Sequence, residues 1–328
     1  MKYARNKKWR LLLSSFVVLF IVLGSIGGCS NNGGGGGDDP FASADLIMGG
    51  LLYDKWWVAA GVDEPEGTNP VYPTEENAMF NMPPRAGSQT FRCKECHGWD
   101  YFGVDGFYGP PSSHFTNIEG VFEVAANLNA LSASMYQSRE NGDHSPQEIH
   151  DIIAFGIPGE MLGYEVFLSD GDIWDLTKFL VDGLIDNRLI VDYSSPDMNE
   201  LIPPFFVNIG EQIYNDICAG CHGIDGEGLA EFNTEGISLH EVATDNPVEF
   251  MHKIRMGQPG EPMPSMVDLG FNTADAKDVL AYAMLVLPNV EPPPGEGCCV
   301  FEDNSCMDGL GQEGCELDGG MFDAEVMC

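Results

Sequence analysis

Wherever apolar and polar positions along this chain alternate regularly, they do so with a helical period. Gly210-Glu-Gln-Ile-Tyr214 leads into Cys218, and Gly49-Gly-Leu-Leu-Tyr53 has the same Gly-x-x-x-Tyr spacing. A glycine lets another helix approach closely, and the aromatic four residues on shares its face, so each segment predicts an opening helix. Ser145-Pro146-Gln-Glu148 is a helix start, with a serine cap followed by proline in the first turn. Ser169 with Asp172 predicts a capping box ahead of Ile173, Leu176, Phe179 and Leu180. From about Thr273, Val279, Tyr282, Ala283 and Val286 share one face of a second closing helix. Between opening and closing helices, Ile153–Met161 parallels Ile254–Met263, each a short helix that ends in a Gly/Pro loop presenting a methionine. The expected fold is all-α, with one order of elements used twice.

The N-terminus follows a different logic. Met1–Arg10 carries Lys2, Arg5, Lys7, Lys8 and Arg10 with no acid, and the apolar run Leu11–Ile26 follows, which is the pattern of an export signal over residues 1–28. The run closes on Ile26-Gly27-Gly28-Cys29, which resembles a bacterial lipoprotein box with Cys29 as the lipidated residue; an uncleaved membrane anchor is the rival, since the stretch is just long enough to span. Both readings export the remaining chain to the periplasmic or cell-surface side. Ser30 in place of an acid after the cysteine resembles the sorting pattern for an outer membrane, where the cell has one. Gly33–Gly37 with Asp38-Asp39-Pro40 cannot bury anything, so residues 29–44 read as a lipidated, Gly-rich linker.

Charge narrows the partners. The chain has 15 basic and 51 acidic residues, and five of the basic ones lie in the leader, which leaves ten against 51, a formal charge of −41. Such a field excludes nucleic acid and anionic lipid as partners and steers proteins with basic docking faces; a saline habitat is the alternative reason for it.

The chemistry lies in a five-residue pattern that occurs twice, Cys93-Lys94-Glu95-Cys96-His97 and Cys218-Ala219-Gly220-Cys221-His222. In Cys-x-x-Cys-His the two thiols form thioethers with haem vinyl groups and the histidine reaches the iron from the same turn. Two copies imply two covalently bound c-type haems, attached through Cys93, Cys96, Cys218 and Cys221, with His97 and His222 on the iron. A zinc tetrad of four cysteines leaves each following histidine unexplained. A thioredoxin-like dithiol wants a βαβ context, and none is visible around either motif. Trp99, Tyr101 and Phe102 are expected to wall the first haem, and Arg92, Lys94 and Arg85 to hold propionates.

Residues 45–292 with these motifs resemble a tandem pair of class I cytochrome c domains, of the bacterial dihaem cytochrome c family. Gln258-Pro-Gly-Glu-Pro-Met-Pro264 matches that family's methionine loop closely. The resemblance implies domains at 45–196 and 197–292, and Met263 and Met161 as the sixth ligands. A thioether is soft and favours Fe(II), so such ligation raises the potential. Met256, Met266 and His252 compete for the second iron, and His114, His144 and His150 for the first. The first unit departs from the pattern by an insertion at about 54–90 and by a His-to-Met gap of 64 residues against 41. The implied function is a membrane-tethered carrier of single electrons between redox partner proteins. The alternative is a dihaem redox enzyme of peroxidase or thiosulfate dehydrogenase type, although no cysteine remains in 45–292 to ligate iron as the latter requires. Residues 293–328 place Cys298, Cys299, Cys306, Cys315 and Cys328 after a proline-rich spacer, and read as a small disulfide-stapled tail with one odd thiol.

Overall fold

The computed structural model describes residues 39–72, 86–109, 118–122, 144–192, 199–228 and 238–288, and the backbone of three short strands beyond them. Cys29 with the leader and most of the glycine linker, Arg85, His114, Cys315 and Cys328 lie outside the described residues.

The described chain is helical, as its periodicity predicts. A short α1 (Pro40–Ser43) precedes α2 (Leu46–Ala59), whose first turn is capped by the Asp45 carboxylate accepting from the Ile47 and Met48 amides. A 3-10 turn (Ser88–Phe91) runs into α3 (Cys93–His97), which is the first motif itself. Next come α4 (Pro146–Phe155) and α5 (Asp170–Lys178), the latter continuing as a π-helical turn over Phe179–Gly183. Both begin with complete capping boxes, Ser145 with Glu148 and Ser169 with Asp172, so two orphan donors are satisfied at each start. A 3-10 turn at Asn187–Leu189 and a two-residue ladder of β1 (Val191–Asp192) with β2 (Glu200–Leu201) lead into the second unit. There α6 (Val207–Ile213) passes through a π-helical turn at Tyr214–Cys218 into α7 (Ala219–His222), followed by α8 (Leu239–Asp245), α9 (Pro247–Met256) and α10 (Thr273–Leu285).

One expectation shifts here. Helix α2 runs on past Tyr53 with a kink at Lys55, so Trp56 and Trp57 belong to the opening helix and not to the segment inserted after it. Burial is the reason, since both indoles are in the core and pack edge to face on one another at 5.3 Å.

The pairs α2 with α5 and α6 with α10 cross in the same way. A Cβ added at Gly49 would stand 2.0 Å from the Asp175 carbonyl oxygen, and one at Gly210 would stand 1.9 Å from that of Asp278. Only glycine permits these crossings. Each crossing is pinned by the same hydrogen bond, the Asp45 amide donating to the Asp175 carboxylate at 2.6 Å and the Phe206 amide to the Asp278 carboxylate at 2.6 Å. A single apolar core continues from Leu52, Tyr53 and Phe179 through Met251 and Met256 to Leu280 and Tyr282. In the tail, β3 (Cys298–Val300) lies between β4 (Cys306–Met307) and β5 (Met321–Asp323), all antiparallel, with Cys299 opposite both Met307 and Phe322. Among the described residues no helix is long and apolar enough to cross a membrane.

Candidate haem sites

Each motif is locked to its own opening helix by a tyrosine. The Tyr53 hydroxyl donates to the Gly98 carbonyl at 2.7 Å, and the Tyr214 hydroxyl to the Gly223 carbonyl at 2.6 Å, in both cases the residue directly after the histidine. In the first unit the turn feeding the motif is also held, because the Trp56 indole and the Tyr164 hydroxyl both donate to the Phe91 carbonyl, at 3.0 and 2.8 Å.

The methionine loops repeat as well. After α4, Gly156 turns the chain at φ 71°, and after α9, Gly257 does so at φ 96°, values that an L side chain rarely adopts. A Cβ on Gly156 would lie 2.3 Å from the Met161 carbonyl oxygen, and one on Gly257 would lie 2.8 Å from that of Met263. Each loop then returns to its helix through two successive backbone bonds, Tyr164 to Ile153 at 2.9 Å and Glu165 to Ala154 at 3.1 Å in the first, Met266 to Ile254 at 3.0 Å and Val267 to Arg255 at 3.4 Å in the second.

These supports open two cavities. The first, of about 650 Å³, is lined by Cys93, Cys96, His97 and Met161 together with Tyr53, Ile153, Tyr164, Leu176 and Leu180. That volume falls within the roughly 300–1,000 Å³ usual for cofactor sites. The second is lined by Cys218, Cys221, His222 and Met263 with Tyr214, Phe250, Ile254, Met266 and Val279. It measures only about 130 Å³, and Cys221 at its wall is exposed. The donor set fits a c-type haem in both, with two thiols, an imidazole and a thioether lining one largely apolar space.

Electrostatics fit the same group. The Nδ1 atom of His97 donates to the Glu119 carbonyl at 2.8 Å, which leaves Nε2 as the lone-pair nitrogen turned to a metal. Burial lowers the pKa of His97 and of His222, so both rings are neutral, as ligation requires. Burial pushes the Cys93 and Cys96 thiols up to about 12. Zinc wants thiolates, and no group of three or more His, Cys, Asp or Glu side chains converges among the described residues. The four motif cysteines therefore do not form a zinc tetrad.

The competitors for the irons separate. His252 is buried with both ring nitrogens taken, Nδ1 accepting from the Tyr101 hydroxyl at 2.9 Å and Nε2 donating to the Gly50 carbonyl at 3.0 Å. Burial brings its pKa down to about 3. Met256 packs on Gly50 of α2 and does not line the second cavity, whereas Met266 does. His150 stacks on Trp174 at 4.2 Å between Asp151 and Asp170, away from the first cavity. His144, exposed just before the α4 cap, sits at that cavity's wall with Met161.

Three sequence expectations need correction. Trp99, Tyr101 and Phe102 do not line the first cavity. Trp99 packs on Tyr108 and on Val248 of α9, Tyr101 bonds His252, and Phe102 packs at a tilt against Phe122, centroids 4.7 Å apart, beneath the Arg188 guanidinium. Trp99 and Tyr101 therefore meet residues of α9, whereas Phe102 stays with Phe122 and Arg188, and Tyr101 itself has φ 73°. Arg92 does line the cavity, but its guanidinium is engaged by Asp54 and Gln89. Lys94 pairs with Glu95. Sequence reasoning missed Asp54, Asp175 and Asp278, and it named His252 without its partners Tyr101 and Gly50. Asp175 and Asp278 had a usable signal, because each lies near the start of a closing helix at the same place relative to its glycine crossing.

Residues 207–282 match the family model "Cytochrome C oxidase, cbb3-type, subunit III", so this part of the chain is a c-type cytochrome domain, and such a domain implies covalently bound haem c. No curated protein matches the chain. Among solved structures it is similar to the reducing HAO-like protein complex of Kuenenia stuttgartiensis, at 15% identity over 69% of this chain and 100% of that one; the TM-score of 0.20 is too low to relate the two folds.

Proposed function

We propose that the protein is an exported dihaem c-type cytochrome, tethered by lipid at Cys29, that passes single electrons between redox partner proteins outside the cytoplasm. The observation that carries the reading is the convergence, in each of two cavities, of a Cys-x-x-Cys-His motif with a loop methionine, Met161 in the first and Met263, beside Met266, in the second. A bound haem c supplies the one-electron Fe(III)/Fe(II) couple. The chain's part would be to attach it through Cys93 and Cys96, and through Cys218 and Cys221, and to hold the iron with His97 and Met161, and with His222 and Met263. Glu119 holds the first imidazole in the required tautomer, and the glycine-turned loops hold the thioethers. Two protein ligands on each iron would suit electron transfer better than turnover, because neither iron would keep a place for substrate. Domains at 45–196 and 197–292, the leader at 1–28, the linker at 29–44 and a disulfide-stapled tail at 293–328 complete this reading. The excess of acid in the chain favours partners with basic docking faces.

The exported protein should show a haemochrome spectrum equivalent to two haems per chain and, when oxidised, the weak sulfur-to-iron charge-transfer band. Part of that band should vanish in Met161→Ala and part in Met263→Ala, while His144→Ala keeps it whole. A band untouched by Met161→Ala removes Met161 as ligand. Brisk turnover of peroxide or thiosulfate replaces the carrier by the enzyme reading.

A further inference from the structure

One carboxylate joins the two sites. Asp54 on α2 is 1% exposed, yet it meets a cation from each unit. Arg92 donates to it twice, Nε to the backbone carbonyl at 2.6 Å and Nη2 to Oδ1 of the side chain. The Lys253 ammonium, on α9, lies 3.3 Å from Oδ2 and also donates to the Gln258 side-chain oxygen. Arg92 directly precedes Cys93 and lines the first cavity, while Gln258 opens the Met263 loop and lines the second. A continuous hydrogen-bonded series therefore runs from one attachment motif to the other methionine loop: Arg92, Asp54, Lys253, Gln258. Arg92 and Lys253 stand over the same indole, Trp99, at 6.0 and 5.5 Å from its centroid. Burial pushes the Asp54 pKa up, and Lys253 and Arg92 beside it outweigh that and hold the carboxyl below its ordinary value, so it is ionised at neutral pH.

We propose that Asp54, with Arg92 and Lys253, is a shared electrostatic element that sets the reduction potentials of both haems together. The proposal rests on the dihaem reading above. Its physics is that an oxidised haem carries one more positive charge than a reduced haem, so a nearby fixed anion favours Fe(III) and a fixed cation favours Fe(II), most strongly where water is excluded. A salt bridge with a merely structural role would change stability without moving two potentials in a direction set by the sign of the charge removed.

The test is a spectroscopic redox titration of the full-length exported protein, with the two haems distinguished by their paramagnetically shifted methyl resonances. Asp54→Asn removes the anion and should raise both potentials, increasing the reduced-to-oxidised ratio severalfold at a fixed poise. Lys253→Gln removes one cation at a partly exposed site and should lower both; it also keeps the test open if Asp54→Asn does not fold. A Lys253→Gln protein in which the first haem's potential stays in place overturns the proposal, as does an Asp54→Asn protein in which only one haem responds. A colourless wild type sinks the cytochrome reading instead, whereas two haems with unmoved potentials sink only this inference.

Discussion

The two Cys-x-x-Cys-His sites share their local code and differ in enclosure. Each has a glycine crossing, a tyrosine hydroxyl on the carbonyl after the histidine, and a glycine-turned methionine loop. The first is nevertheless a roomy cavity of about 650 Å³, with Trp56 and Tyr164 bracing the turn before it and Glu119 behind its histidine; the second is about 130 Å³ with an exposed cysteine. Ligands near in sequence build the site, and residues far from the motif decide how much water reaches it. Solvent favours the more highly charged oxidised state, so the second haem of the proposed pair has the lower potential of the two.

The shared crossing is the first thing to break. Gly49→Ala and Gly210→Ala each drive a methyl into a backbone carbonyl and should cost about 3 kcal/mol, at the upper end for overpacking, measured as the loss of unfolding free energy in denaturant. Near-equal losses support a true repeat. A loss at one site alone means that the two units only look alike.

Unequal enclosure predicts unequal access. Imidazole added to the oxidised protein should displace Met263 at roughly a tenth of the concentration that displaces Met161, a difference of about 1.4 kcal/mol, followed through the sulfur-to-iron band in Met161→Ala and Met263→Ala backgrounds. Equal affinities would show that the wider first cavity is as open to solvent as the second.

The smallest effect separates the two pinning aspartates. Burial raises the pKa of Asp175 against the hydrogen bond from the Asp45 amide, with the Asp45 and Asp172 carboxylates adding to the rise; burial also raises that of Asp278 against the hydrogen bond from the Phe206 amide, with Asp275 adding to the rise and Lys277 opposing it. An acid with a raised folded pKa binds its proton more tightly in the native state, so its contribution is greatest below the ordinary carboxylate pKa of about 3.9 and is lost as pH rises through the folded value. Asp175→Asn should flatten the decline in stability over that window, and Asp278→Asn should flatten it less. Unfolding free energies measured from about pH 3 to pH 6 check the order, and a steeper decline in Asp175→Asn would reverse the sign.

Much of this was legible in the chain because it is encoded within a few residues. The capping boxes at Ser145 and Ser169 are local hydrogen-bonding patterns, and the helices begin where those patterns place them. The motif order likewise needs only spacing. Legibility failed where a side chain had two destinations: Trp99, Tyr101 and Phe102 are apolar enough for a haem wall or for other packing, and Trp99 and Tyr101 meet Val248 and His252 of α9 while Phe102 meets Phe122. The same holds for Arg92 and Lys94, whose charge called for an anion that proved to be Asp54 and Glu95.

By itself the sequence determined the helical class, the two thiol pairs with their histidines, the methionine loops and the acidic surface, since short-range spacing, capping and composition carry all of these. Only the tertiary structure decided that α9 of the second unit packs on α2 of the first, that His252 is spent on Tyr101 and Gly50, and that Asp54 faces a cation from each side. Those contacts join residues about 40 to 200 positions apart, and burial selects such partners by shape and charge that no local pattern records.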